Sequence, residues 1–184
     1  MKLNEIRNEL SVRAKNGIGF LLSATVIWSI ITIIFLLPVD IQQKNIFMLI
    51  STGIMFPLSI GMSAVIKADW QLKGNPLGNL GLIFNLAQLI YFPILFFGMI
   101  TTPENAILFF AIITGAHLFP YGWFYHATSY YIMAPVIAIV TMILGLYLDG
   151  EHLWAIPLSV AILLLLLIIF LTIDYRKKQN KPVL

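Results

Sequence analysis

Cysteine is absent from this chain of 184 residues, and charged residues make up only 10% of it. Without cysteine the protein has no disulfide bonds, no thiolate metal ligands and no thiol nucleophile. The low charge and the hydrophobic fraction of 60% exclude an ordinary soluble domain, which is roughly 25% charged, and a disordered chain. Basic residues are confined to the ends and the connecting segments, so we expect no nucleic-acid partner.

The hydrophobic residues are gathered in six runs, each near the length of about 20 residues that a bilayer-spanning helix needs. These runs cover residues 17–37, 45–66, 77–100, 105–125, 129–148 and 153–173. The first run is too long for the apolar core of a signal peptide. The pattern predicts an all-α, polytopic integral membrane protein that forms a single membrane domain over residues 1–184 and has the lipid bilayer as its surroundings.

The distribution of positive charge predicts the orientation. Six spans place both termini on one side, and every Lys and Arg except Lys44 falls on that side. Because cytoplasmic loops carry an excess of Lys and Arg, we expect cytoplasmic termini and a location in the bacterial cytoplasmic membrane. Residues 1–16 are predicted to form an amphipathic segment on the membrane surface, and residues 175–184 a basic cytoplasmic tail that touches anionic lipid.

The interiors of the predicted spans contain no Asp, Glu, Lys or Arg. This excludes a carboxylate proton relay, a Schiff-base lysine and an arginine voltage sensor, all of which need ionisable residues inside the membrane. The three histidines match no metal-binding motif, and neither G-x-S-x-G nor a P-loop occurs. We therefore predict no metal, no cofactor and no catalytic residue.

Polar and aromatic side chains cluster in the fourth run, where they form the strongest candidate for a site. His117, Tyr121 and Tyr125 are spaced four residues apart, and Thr114 lies one turn before His117, so a helix places them along one stripe. Pro120 cannot donate a hydrogen bond to the carbonyl of residue 116, which loosens the helix beside the stripe. Together these groups could line a cavity.

Two amides in the third run, Asn85 and Gln88, share one helical face. We hypothesise that they face the stripe and complete a pocket for a small solute or a lipid-like ligand. The alternative is structural, because amides and histidine at this depth also hydrogen-bond between packed helices. Prolines interrupt four spans, and kinks are predicted at Pro57, Pro93, Pro120 and Pro135.

Three segments, IRNELSVRAKNGI, KADWQLKGNPLGNLGL and GAHLFPYGW, resemble a family of small, uncharacterised bacterial membrane proteins with six spans. The resemblance covers nearly the whole chain. It implies a fold but no activity, cofactor or catalytic residue, because the family domain is one of unknown function. His117, Pro120, Tyr121 and Trp123 fall in its most recognisable motif.

Three functions remain open at this point. The first is the binding or passage of a small solute or lipid-like ligand, by a transporter or channel. The second is a non-catalytic accessory or sensor subunit that acts through a membrane protein partner or by self-association. The third is an intramembrane enzyme that modifies lipids, with His117 as general acid or base and Tyr121 as its partner.

Overall fold

A computed structural model describes residues 3–180, and within that range all regular secondary structure is helical. The predicted all-α class is thus confirmed. The ten α-helices are α1 (Leu3–Arg13), α2 (Ile18–Leu36), α3 (Ile41–Thr52), α4 (Met55–Val65), α5 (Gly78–Leu89), α6 (Phe92–Thr101), α7 (Ala106–His117), α8 (Pro120–Phe124), α9 (Thr128–Tyr147) and α10 (Ala155–Gln179). Short 3-10 turns precede α2, α7 and α10.

Five helical stretches in the described part of the chain are long and apolar enough to cross a membrane. They contain α2, α5 with α6, α7 with α8, α9, and α10. The run at 45–66 does not form one straight helix. It is divided between α3 and α4, which meet at an angle of 45° and make a sixth stretch only if the bent pair is counted as one span.

The helix breaks follow the prolines. Pro57, Pro93 and Pro120 each lie in the first turn of α4, α6 and α8, where an amide N–H has no partner within the helix. A proline ring inside a helix clashes with the carbonyl of the residue four positions earlier. For Pro93 that residue is Leu89, and α5 ends there. Pro135 differs, because α9 continues through it without a break.

The core is built around α2, which packs against α10, α4 and α3, while α7 packs against α9. Trp28 of α2 stacks on Phe110 of α7 with ring centroids 5.0 Å apart. The stretch Gly78–Thr101 lies at the periphery, with only 6% of its apolar window buried against 61% for the stretch that contains α2. In a bilayer such an exposed apolar helix meets lipid or a partner helix.

Segments from both ends of the chain meet at one end of the bundle, which we call the terminal face. It consists of α1, residues 66–77, residues 124–128 and the last turns of α10. Arg13 pairs with Asp69 at 2.6 Å, and Lys15 Nζ donates to the Ile66 carbonyl at 2.6 Å. Arg7 donates from Nε to the Trp123 carbonyl at 2.7 Å. Arg7, Arg13 and Lys15, which are expected on one side, therefore share one end of the bundle in the described chain.

At the opposite end, Lys44 donates from Nζ to the Phe35 carbonyl at 2.9 Å, away from the other described cations. Helix α10 runs on to Gln179, so residues 175–179 of the predicted basic tail are helical. They continue the preceding turns without a helix-breaking residue. The described residues do not include Lys2 or the end of the tail, residues 181–184.

Candidate functional site

The stripe predicted in the fourth run begins on α7 and passes through α8. The rings of His117 and Tyr121 lie 5.2 Å apart. Tyr121 stacks on Tyr125 at 5.9 Å, and Tyr130 of α9 lies 5.9 Å from each of them. We call Tyr121, Tyr125 and Tyr130 the tyrosine cluster. All three rings are buried, so they close the stripe on the side of the terminal face.

The third apolar stretch reaches this stripe through α5. Tyr121 donates its hydroxyl to the Gly81 carbonyl at 3.4 Å, and its ring lies 5.5 Å from that of Phe84. Asn85 donates to the same carbonyl at 2.9 Å. Asn85 and Tyr121 therefore share an acceptor, whereas the half-buried Gln88 side chain makes no hydrogen bond within residues 3–180.

Two polar atoms on the stripe are buried and have no hydrogen-bond partner in the described chain: Thr114 Oγ1 and His117 Nε2. They lie one turn apart on α7. Burying a polar group without a partner costs about 1–3 kcal/mol, and lipid cannot supply the bond. The two atoms therefore carry this unfavourable cost in the part of the chain that the structure describes.

Other threonines in the bundle show that Thr114 is unusual. Thr25, Thr32 and Thr141 each donate to the carbonyl four residues earlier, at 2.8 Å. This is the usual way in which a helical threonine satisfies its hydroxyl. The carbonyl four residues before Thr114 is that of Phe110, but the Thr114 hydroxyl does not donate to it. Its hydroxyl is therefore buried without a hydrogen-bond partner in the described chain.

The backbone around the stripe is held closely by α9. Gly115 approaches α9 so tightly that a Cβ built there would lie 2.8 Å from the Ala138 nitrogen. A Cβ on Gly122 would lie 2.8 Å from the Tyr131 ring. Glycine at these two positions fixes the distance between α7, α8 and α9, and with it the position of His117 and the tyrosine cluster.

A second polar group lies at the terminal face, and the sequence analysis did not find it. Asn16 is fully buried and donates from Nδ2 to the Leu171 carbonyl at 3.0 Å and to Asp174 Oδ2 at 2.9 Å. Its Oδ1 accepts from the Ser11 hydroxyl and from Lys178 Nζ at 3.3 Å. We call Ser11, Asn16, Asp174 and Lys178 the Asn16 cluster.

The backbone at Asn16 explains how one residue reaches so many partners. Lys15, Asn16 and Gly17 have φ values of 48°, 54° and 77°, so a left-handed turn joins α1 to α2. Asparagine and glycine tolerate this conformation best. The Asn-Gly pair at residues 16 and 17 is a turn signal that could have marked this position in the sequence.

The Asn16 cluster is joined to the tyrosine cluster by two hydrogen bonds. Tyr130 donates its hydroxyl to the Asn16 carbonyl at 2.8 Å, and Lys178 Nζ donates to the Tyr125 carbonyl at 2.9 Å. Lys178 also pairs with Asp174 at 2.6 Å. Every polar side chain of this cluster has a partner, so we interpret it as the structural fastening of the N-terminal turn, α8, α9 and α10.

Outside the bundle core, Arg13 and Asp69 form the main ion pair of the terminal face. Burial works to raise the pKa of Asp69, but hydrogen bonds from Arg13 and from the Leu72 backbone outweigh it and lower that pKa below its ordinary value of 3.8. Glu9 and Asp69 in turn raise the pKa of the Arg13 guanidinium. The pair fastens α1 to residues 66–77.

The family model of DUF7010, a family of unknown function, matches residues 3–174. The chain belongs to this family. The match includes the stripe, the tyrosine cluster and all of the Asn16 cluster except Lys178. No curated protein and no solved structure matches the chain. The resemblance seen in the sequence is thus confirmed for a family of unknown function with helices that could cross a membrane, while six spans and a bacterial source stay predictions.

Proposed function

We propose that this DUF7010 protein is an integral membrane protein that binds a small, neutral polar solute or the polar part of a lipid-like ligand on α7. The observation that supports the proposal is the unpartnered pair of buried atoms, Thr114 Oγ1 and His117 Nε2. Of the predicted pocket residues, Tyr121 has its ring 5.2 Å from that of His117 and shares the Gly81 carbonyl with Asn85. We count α3 and α4 as one bent span, which gives six spans in a bacterial cytoplasmic membrane, with cytoplasmic termini.

The chemistry of the pair defines the ligand class. A hydroxyl can donate or accept, and a neutral imidazole offers one donor and one acceptor nitrogen. Groups one helical turn apart are separated by about 5–6 Å. A hydroxyl or amide function that reaches both atoms would satisfy them. Because α5, α7 and α9 contain no Asp, Glu, Lys or Arg, a neutral ligand suits the site better than an ion.

The test is native mass spectrometry of the full-length protein released gently from detergent or nanodiscs. We expect a discrete bound mass on the wild type and its loss in Thr114→Val and His117→Leu. Thr32→Val is the matched control, because the Thr32 hydroxyl already donates to the Trp28 carbonyl at 2.8 Å. If the wild type carries no added mass, or if the control loses it equally, the proposal fails.

A second candidate, a non-catalytic accessory or sensor subunit, is favoured by the exposed stretch Gly78–Thr101. Its outward side chains include Ile90, Phe97 and Ile100, which are 65–82% exposed. A partner helix or a second copy of this chain could cover them. Photo-crosslinkers at Phe97 in native membranes should then capture one defined membrane protein, and capture of lipid alone would remove this candidate.

The third function, a lipid-modifying enzyme, lacks such an observation. Within residues 3–180 no group of three or more His, Asp or Glu side chains could hold a metal ion. His117 is a ring neighbour of Tyr121, but a carboxylate is not among the residues predicted for the site. The described residues therefore favour binding over catalysis.

A further inference from the structure

A groove of about 410 Å³ runs between the start of α9 and the end of α10, away from the stripe on α7. One part of its lining is apolar and consists of Ile132, Met133, Phe170 and Ile173. The other part is polar and consists of Ser129, Asp174 and Lys177. The polar part lies at the terminal face, so the groove combines an apolar channel with a polar rim at one end.

The apolar part opens outward. Ile132, Phe170 and Ile173 are 58%, 46% and 48% exposed. From Phe170 to Lys177 the helix rises by about 10 Å, at 1.5 Å per residue. That length fits within one leaflet, since half of the hydrocarbon core is about 15 Å thick. The channel thus has the length and polarity for part of one acyl chain.

The rim carries a net positive charge that is available to a ligand. Asp174 is already neutralised, because it accepts from Lys178 Nζ at 2.6 Å and from Asn16 Nδ2 at 2.9 Å. Lys177 is exposed and makes no hydrogen bond or ion pair within residues 3–180. An anionic group at the rim would therefore meet an unpaired ammonium beside a hydroxyl, that of Ser129.

We propose that this groove binds one anionic phospholipid of the leaflet at the terminal face. The acyl chain lies along Ile132 and Phe170, and the phosphate contacts Lys177 and Ser129. Charge complementarity selects the headgroup, because the Lys177 ammonium attracts an anionic headgroup. A zwitterionic headgroup has no net charge for the ammonium to attract. This site is separate from the ligand site on α7, and neither proposal depends on the other.

The experiment titrates purified full-length protein with phosphatidylglycerol and with phosphatidylcholine of identical acyl chains, and counts bound lipids by native mass spectrometry. We expect the wild type to hold one phosphatidylglycerol in preference to phosphatidylcholine. Lys177→Gln should lower that preference about fivefold. Arg176→Gln, at an exposed neighbour of the same charge outside the groove lining, should leave it unchanged.

A second variant separates the groove from diffuse surface charge. Phe170→Ala shortens the apolar channel and should weaken binding of both lipids while leaving the preference between them. Thermal unfolding of each variant checks the fold, which these exposed positions should not disturb. Equal binding of the two lipids to the wild type, or an equal loss in Arg176→Gln and Lys177→Gln, would overturn the proposal. Capture of a protein instead of a lipid by a photo-crosslinker at Ile132 would overturn it as well.

Discussion

The Asn16 cluster and the stripe on α7 differ in whether their buried polar groups have hydrogen-bond partners in the described chain. At the terminal face each polar group of Asn16, Asp174 and Lys178 has a partner supplied by the chain. On α7, Thr114 Oγ1 and His117 Nε2 have none within the described residues. At the terminal face the buried polar groups that connect helices are thus satisfied within the chain. The proposal of a ligand site on α7 rests on this contrast.

The largest effect should come from removing the centre of the satisfied region. Asn16→Leu deletes hydrogen bonds to Ser11, Leu171, Asp174 and Lys178, while the Lys178–Asp174 ion pair stays in place. We expect the free energy of unfolding to fall by about 3–5 kcal/mol, since each of the lost hydrogen bonds contributes about 1 kcal/mol. Chemical unfolding in detergent measures it.

Asn85→Leu is the control for that prediction. Asn85 makes one bond to a carbonyl of its own helix, at 2.9 Å, and is half-exposed, so its loss should change the stability by less than about 1 kcal/mol. A similar loss for both variants would contradict the assignment of Asn16 as the fastening residue.

The next effect concerns the left-handed turn. In Gly17→Ala the added methyl would lie 2.7 Å from the Tyr125 ring, at a residue whose φ is +77°. We expect a loss of about 2–3 kcal/mol in unfolding free energy, from the clash and the backbone together. Gly74→Ala shares the positive φ, +82°, but meets nothing within 4 Å, so its loss should be about 1 kcal/mol. Equal losses of unfolding free energy in the two variants would show that the added methyl at residue 17 does not clash with the Tyr125 ring.

A smaller effect sharpens the comparison at the stripe. In ligand-free protein, Thr114→Val replaces an unpaired hydroxyl with a methyl, so stability should stay equal or rise by up to about 1 kcal/mol. Thr141→Val removes a hydroxyl that donates to the Ile137 carbonyl at 2.8 Å and should lose a few tenths to about 1 kcal/mol. Thermal unfolding of both variants after removal of bound molecules is the measurement. A clear loss for Thr114→Val would mean that the hydroxyl has a partner within the chain.

The smallest effect is the pH dependence at the terminal face. The pKa of Asp69 is lower in the folded protein than its ordinary value of 3.8. The Arg13–Asp69 pair therefore stabilises the fold above about pH 4, and this contribution is lost as pH falls through the folded pKa. Unfolding followed from pH 6 to pH 3 should show the loss in the wild type, and Asp69→Asn should lack that part of the pH dependence. Identical profiles would contradict it.

The positions of two long helices followed closely from the sequence. The runs 17–37 and 129–148 agree with α2 and α9 to within a residue or two, because length and hydropathy determine where an apolar helix ends. Three of the four prolines mark helix starts for a local steric reason, and Pro135 shows that this reason alone does not break a helix.

The contacts between distant segments did not follow from the sequence. The predicted stripe contacts Gly81 and Phe84 through Tyr121, whereas Gln88 makes no side-chain hydrogen bond in the described range. The sequence predicts Asn16 within a surface segment, whereas its partners Leu171 and Asp174 lie more than 150 residues away in the chain. Hydropathy carries no information on such pairings, nor on the helical continuation from 175 to Gln179.

An experimental density map of the protein in nanodiscs tests most directly the proposal that Thr114 and His117 hold a molecule from outside the chain. We predict non-protein density within hydrogen-bond distance of both Thr114 Oγ1 and His117 Nε2. An empty site, with the Thr114 hydroxyl turned to donate to the Phe110 carbonyl, would contradict the claim and make the stripe part of the packing between α5, α7 and α9.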